Sequence, residues 1–354
     1  MTTYLVKIKP LENYAFGTDV KLPYPDPNED NRKSSYITKS NLIPEQTTIL
    51  GMLRYQLLDY NHLLHSNFIY TKEEKESMDQ LIGKDSFQFS KSNQKFGKII
   101  SISPVFLIKD CDSKTDIYVR NPLHNAVDEG DHHSFIRMDE RMNTSFGSIT
   151  LPKIDSKTFD SRNKYINISD VDDNVLVNED DLFTRSYQIG INKNNKDEND
   201  DKGFFKQEVV RLNDKFCFGV YLELDDDGIE LEKKSVCHMG QKQSMFSIEF
   251  IEDENNLLEK IVKKFKNEQQ CWYYALSDIV ITEEMNYSEF CMINKKSIRN
   301  LETVIDNKQL RTKRTKKQYN LIQSGSVFYL KNPFDSKKNE NCIGYNQLVR
   351  IGGN

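Results

Sequence analysis

No run in the 354-residue sequence approaches the ~20 consecutive apolar residues that a membrane-spanning helix requires. A signal peptide is missing too. The opening MTTYLVKIKP reads as a strand, so a cytoplasmic protein with no membrane partner is expected. Six cysteines (Cys111, Cys217, Cys237, Cys271, Cys291, Cys342) lie far apart and form no C-x-x-C pair. That argues against a zinc or disulfide framework and for reduced, buried thiols. G-x-x-x-x-G-K-[ST], G-x-G-x-x-G after a strand, H-E-x-x-H and G-x-S-x-G are all absent. No cofactor, metal or catalytic residue is therefore expected. Positive charge is also short: the net charge of −5 argues against an unspecialised nucleic-acid binder.

One exception to the lack of catalytic signals is weighed. His132 and His133 are adjacent, so in a strand they point to opposite sides and cannot share a metal as an i, i+4 pair would. With Asp128, Asp131 and Asp139 nearby, a surface loop is the simpler reading. Either histidine could be the general acid–base of a metal-independent ribonuclease. No second catalytic partner accompanies them.

What is present begins with Tyr36–Leu64. Leu50, Leu53, Leu57, Tyr60 and Leu64 recur at spacings of three and four, which predicts an amphipathic helix. Pro44 suits its first turn, where a missing N–H costs nothing. Lys39, Ser40 and Asn41 form a polar, basic loop before it, and Gln46, Thr47 and Thr48 open it. Such a helix end is either an ordinary polar cap or a place to hold a phosphate. Gly51 marks a point where a sheet or an RNA backbone comes close.

Charge is distributed unevenly. Lys295–Lys317 holds nine Lys or Arg against two acids, a local +7, and Asp170–Asp201 holds ten acids against three bases, a local −7. Each run alone reads as a solvated loop, although local patches set the field that a nucleic acid meets.

Alternation predicts strands at Tyr4–Lys9, Thr184–Ile191 and Phe204–Leu212, and the strongly apolar run Phe216–Leu224 is a further one; Lys98–Lys109 (with an edge or bulge at Pro104), Cys271–Thr282, Val327–Lys331 and Gln347–Ile351 also read as strands. Short helices are expected at Glu73–Ile82 and Asn255–Phe265. Residues 110–180 show poor periodicity and read as an outward-reaching insertion. The strands 184–191 and 204–212 flank the polar segment NKNNKDENDDKG, the pattern of a protruding hairpin arm. The element order fits an α+β fold of two ferredoxin-like (β-α-β-β-α-β) units: residues 1–180, and residues 216–354 beyond a hairpin at 181–215.

Single-strand binders combine cations with side chains that stack on bases or wedge between them. Arg185, Tyr187, Ile189 and Phe204 on the hairpin, the Lys39-Ser40-Asn41 loop, and Arg137 and Arg141 in the insertion supply both kinds.

The motifs themselves carry a resemblance. YLVKIKPLENYAFG, the run Pro44-x-Gln46-Thr47-Thr48-Ile49-Leu50-Gly51-Met52-Leu53-Arg54, YQIGINKNNKDENDDKGFFKQEVVRL, HMGQKQSMF, SGSVFYL and IGYNQLV follow one another in order. Together they resemble the RAMP superfamily of CRISPR proteins, and within it the third subunit of the type III-B Cmr effector complex. Two loops depart from the family pattern: Met239-Gly240-Gln241 replaces a doubled glycine and an acid, and Gly344-Tyr345-Asn346 is poor in glycine. The resemblance implies two RRM-like RAMP domains and a thumb hairpin that presses between guide bases. It implies a non-catalytic subunit that grips the 5′ handle of the crRNA and bridges a large polymerase-like subunit to an adjacent RAMP backbone subunit, meeting target RNA only indirectly. The implied RNA contacts are Lys39, Ser40, Asn41, Gln46, Thr47, Thr48, Arg54, Arg137, Arg141, Arg185, Tyr187, Ile189, Gln241, Lys242, Gln243, Gly344 and Asn346.

Overall fold

A computed structural model describes the chain except residues 25–34, 67–68, 90, 92–93, 112–113, 128–132, 136, 154–160, 170–175, 192–203, 254–255, 257, 259–271, 281–287, 307–308, 331–341 and 352–354. It is an α+β molecule built mostly of strands. In chain order the elements are β1 (Thr2–Pro10), β2 (Phe16–Tyr24), β3 (Ser35–Asn41), α1 (Gln46–Tyr60), α2 (Lys72–Ile82), β4 (Ile99–Ile102), β5 (Phe106–Cys111) and β6 (Lys114–Arg120). Next come β7 (Asn125–Val127), β8 (His133–Phe135), β9 (Arg137–Thr144), β10 (Gly147–Lys153), β11 (Lys164–Asn167), β12 (Leu176–Asn178), the single turn α3 (Glu179–Leu182), β13 (Phe183–Ile191) and β14 (Phe204–Leu212). The remainder holds β15 (Phe216–Leu224), β16 (Lys234–Met239), β17 (Ser244–Glu252), β18 (Trp272–Ala275), β19 (Ile279–Val280), β20 (Phe290–Met292), β21 (Lys295–Asp306), β22 (Gln309–Ile322), β23 (Val327–Tyr329) and β24 (Leu348–Ile351).

Alternation along two strands sets the layers. β1 and β15 are neighbours at the middle of a nine-stranded sheet ordered β12-β11-β6-β5-β15-β1-β17-β16, with β4 also pairing β15. Val6 and Ile8 of β1, with Phe218, Val220 and Leu222 of β15, face one side and pack with Ile49, Leu53 and Leu57 of α1. Leu5, Cys217 and Tyr221 face the other side, where they meet Trp272, Tyr274 and Val349 of a second sheet, β20-β23-β18-β24. β15 is covered on both faces. It therefore reads as an unbroken apolar run instead of an alternating one.

Several boundaries differ from the sequence reading, each for a local reason. The expected strand 98–109 is two strands, because Pro104 has no N–H for the ladder. β4 and β5 pair successive stretches of β15, and Ser103 bridges the break: its N–H donates to the Tyr221 carbonyl, and its hydroxyl accepts the Tyr221 N–H, both at 2.8 Å. Glu45 is the N-cap of α1, so Pro44 lies just outside the helix and not in its first turn. α1 is buried on most of its circumference, leaving only a stripe at Gly51, Tyr55 and Asp59 exposed. No other described part of the chain comes within 4 Å of where a Gly51 side chain would stand, so the close approach expected there is not made by this chain.

Lys39, Ser40 and Asn41 are not a loop; they end β3. The segment 110–180 is far from structureless: β6, β11 and β12 extend the main sheet, and β9 and β10 form a hairpin of their own. The basic run 295–317 is likewise no loop but most of a long hairpin, β21–β22. The helix expected at 255–265 falls almost wholly outside the described residues. α2 matches its expected span and closes with a full capping box between Thr71 and Glu74. No described helix is long and apolar enough to cross a membrane.

Candidate nucleic-acid interface

The hairpin β13–β14 belongs to a four-stranded sheet ordered β13-β14-β3-β2, in which β3 pairs parallel to β14. Arg185, Tyr187 and Ile189 occupy alternate positions of β13 and share one face. Ile189 is 76% exposed and Tyr187 46%. Two ammonium groups flank the Tyr187 ring, Lys206 Nζ at 4.6 Å and Lys39 Nζ at 5.7 Å from its centroid. Among them lies Glu208, 3% exposed. Its carboxylate takes Lys39 Nζ at 2.9 Å, the Tyr187 hydroxyl at 3.5 Å and Arg185 Nε at 3.7 Å. The hydrogen bond to Glu208 outweighs burial and raises the Lys39 pKa, so its ammonium stays charged at neutral pH. Arg185 is held further by Glu179 of α3, at 2.6 Å.

The turn Gly240–Gln243 closes on the same sheet. Gly240 has φ +75, and a Cβ there would lie 2.6 Å from the Ala15 carbonyl, so glycine is required. Gln241 N–H donates to that carbonyl at 2.8 Å, and the Gln241 side chain accepts from Gln207 on β14. Lys242 Nζ donates to Gln188 Oε1 at 3.3 Å. Lys242 and Gln243 both carry positive φ, and the Gln243 carbonyl lies 2.9 Å from His238 Nδ1.

A second group surrounds the start of α1. Glu45 Oε1 accepts from Asn41 Nδ2 at 2.8 Å and from Lys296 Nζ at 2.5 Å, and Lys296 reaches Asp278 Oδ2 at 2.6 Å. Burial raises the Glu45 pKa, with Lys296 opposing it. For Lys296, burial alone would lower the pKa; the Asp278 and Glu45 carboxylates reverse that and raise it. Gln46 is buried and donates to the Ser103 carbonyl at 2.9 Å, and Thr47 hydrogen-bonds Tyr345. Gly344 (φ +88) packs under this end; a Cβ there would meet the Gln46 amide and come 2.6 Å from the Ser103 carbonyl. Asn346 is buried and accepts from Val280 N–H at 2.8 Å. The helix end that the sequence suggests for a phosphate thus has a buried carboxylate beside it. Ser40 is turned to the backbone, accepting Phe16 N–H at 2.9 Å, and Thr48 N–H bonds the Glu45 carbonyl at 2.8 Å.

Three expected cations lie apart from both groups. The Arg54 guanidinium covers the Phe96 ring at 5.2 Å and donates to the Asp85 carbonyl at 3.1 Å; burial lowers its pKa. Arg141 is exposed on the β9–β10 hairpin, and Arg137 starts that hairpin. His132 lies outside the described residues, and His133 begins the short strand β8. Among the described residues no three His, Cys, Asp or Glu side chains group as a metal site.

The family model CRISPR-associated protein (Cas_Cmr3) matches residues 26–352. The chain belongs to the Cas_Cmr3 family. No curated protein matches it individually. Among solved structures, a chain of the cryo-EM structure of the Type III-B Cmr-beta bound to cognate target RNA is similar at a TM-score of 0.51 and 16% identity, covering 98% of this chain and 96% of that one. A chain of the same complex bound to cognate target RNA and AMPPnP, state 1, has a TM-score of 0.47 at 16% identity, covering 97% and 95%.

In this Cas_Cmr3 member the residues missed by sequence reasoning are the buried charges. Glu208 sits within the F-F-K-Q-E-V-V strand that helped carry the resemblance, so its position was visible though its role was not. Glu45 and Asp278 gave no signal. Lys296 was hidden in a basic run in which counting assigns every ammonium to solvent.

Proposed function

We propose that this CRISPR-associated protein is a non-catalytic RNA-binding subunit of a type III-B effector complex, holding the 5′ handle of the crRNA and bridging the polymerase-like large subunit to the adjacent RAMP backbone subunit. One observation carries this reading. The exposed Tyr187 ring lies beside the ammonium groups of Lys39 and Lys206, with the exposed Ile189 side chain two residues further along the same face. An aromatic surface with flanking cations takes a base by stacking and a phosphate by charge. Ile189 supplies an apolar wedge beside it.

On this reading the hairpin within 181–215 is the thumb, between ferredoxin-like units at 1–180 and 216–354. Lys39, Arg185, Tyr187, Ile189, Gln241, Lys242 and Gln243 form the contact surface. Ser40, Asn41, Gln46, Thr47, Thr48, Gly344 and Asn346 shape the helix start behind it. Target RNA is met through the guide, and the complex works in the cytoplasm.

The test is a nuclease footprint of the handle in the assembled complex. Tyr187→Ala/Ile189→Ala changes two exposed side chains and leaves the buried Glu208 pairing with Lys39 in place. Stacking on an aromatic is worth about 1–3 kcal/mol per base, so the variant should lose handle protection while the subunit still folds and joins the complex. Protection equal to wild type would overturn the proposal.

A further inference from the structure

Apart from Lys296 at its base, the most basic part of the chain takes no part in the interface just described. β21 and β22 pair antiparallel from Lys295↔Ile322 to Asp306↔Gln309, the longest hairpin among the described residues. Its base is fixed: Leu321 and Ile322 are fully buried or nearly so, Ile298 is 9% exposed, and β19 pairs Leu321 and Ile322. Beyond Leu301↔Arg314 the two strands pair only with each other among the described residues. At ~3.4 Å per residue, the six residues Leu301–Asp306 reach roughly 20 Å from that point.

Cations on β22 fall at Arg311, Lys313, Arg314, Lys316 and Lys317. The only acids on the hairpin are Glu302 and Asp306. A register break concentrates the charge. Arg299 faces Gln318 and Leu301 faces Arg314, so Thr315, Lys316 and Lys317 stand against the single residue Asn300. Such bulges re-aim side chains, and here Lys313, Lys316 and Lys317 are all exposed. An isolated two-stranded ribbon is marginal in water, and one with this charge repels itself. A polyanion laid along it relieves both.

We propose that the β21–β22 ribbon is a second nucleic-acid contact, binding the phosphodiester backbone of an RNA strand without reading its sequence. The ribbon is placed for this, because β21 runs beside β2, the edge strand of the sheet that carries Tyr187. An RNA strand leaving that sheet across β2 meets the ribbon next. Five cations crowd one strand, Lys313, Lys316 and Lys317 among them exposed with Leu301 the one exposed apolar side chain described beside them, and this matches a phosphate chain better than a folded protein surface. The proposal stands on the charge and geometry of the ribbon and does not require the handle reading.

The experiment measures affinity of the full-length protein for guide RNA, and for guide RNA annealed to target RNA, from low to high salt. The variant is Lys313→Gln/Lys316→Gln/Lys317→Gln, which keeps most of each side-chain stem. Each lost phosphate contact on a single strand lowers the salt slope by about 0.7. Three contacts should lower it by about 2, with at least a tenfold loss of affinity at low salt. A loss with guide alone assigns the strand to the guide; a loss only with the annealed RNA assigns it to the target. A slope unchanged on both RNAs overturns the proposal, as does unchanged RNA affinity with loss of a neighbouring subunit, which would make the ribbon a protein contact. Photocrosslinking of the wild-type protein tests the same point without any variant: crosslinked peptides should fall in 309–322, and their absence there counts against it.

Discussion

Lys296 Nζ sits 2.5 Å from a carboxylate oxygen of Glu45, the residue that caps helix α1. The contact joins the base of the basic ribbon to the opening helix, and Asp278 makes it a triad. All three side chains are 11–17% exposed. Replacing Lys296 with Met leaves two buried carboxylates without their cation, which should cost about 3–5 kcal/mol. Burial raises the Glu45 pKa, and without Lys296 to oppose it this carboxylate binds a proton more readily folded than unfolded, so the deficit should shrink as pH falls below neutral. Urea midpoints of Lys296→Met against wild type at pH 7.5 and 5.5 check both the size and the sign. An equal midpoint at pH 7.5 would show that the triad adds nothing.

A second pH effect comes from His124, which is fully buried with its ring stacked on Trp272 at 4.8 Å. Burial holds its pKa down to about 3. The folded state thus excludes a proton that the unfolded chain accepts near 6.5. Its contribution is complete above that value and is lost as pH drops from 6.5 toward 3. At pH 5.5 the loss should be about 1.4 kcal/mol. His124→Phe should flatten the stability profile in this window; an unchanged acid slope in the variant would assign the effect to other groups.

The legible parts of the sequence were those whose signal is local. β13 and β14 follow from period-two alternation, β15 from its apolar run and α1 from a three–four spacing; the three strands stand within a residue of their expected places, while α1 ends at Tyr60, short of the Leu64 that the spacing includes. Two regions were illegible for physical reasons. Strands such as β11 and β12 are only four and three residues long, too short to show a period, and they exist because β6 offers β11 an edge and β11 offers β12 the next. β21 and β22 carry cations on both faces, so they lack the apolar stripe that marks a strand. At the candidate interface, Tyr187 and Ile189 were singled out by residue type and position, and both are exposed. The Glu45–Lys296–Asp278 triad was not, because its members lie far apart in sequence and meet only when the ribbon closes on the helix start.

Gly51 lies in the interior of α1, yet it is exposed and a methyl group there would touch no other described part of the chain. Glycine at such a site costs about 0.5–1 kcal/mol relative to alanine, and nothing within the chain requires it. A contact from outside the chain along the stripe Gly51, Tyr55 and Asp59 would account for it. Gly51→Ala should therefore raise the stability of the free protein by about that amount and at the same time weaken its retention in the assembled ribonucleoprotein. Thermal unfolding of the free subunit reads the first effect, and the yield of complex after a salt wash reads the second. A stability gain with undiminished retention would show that this stripe faces only solvent, and that the glycine has no partner to accommodate.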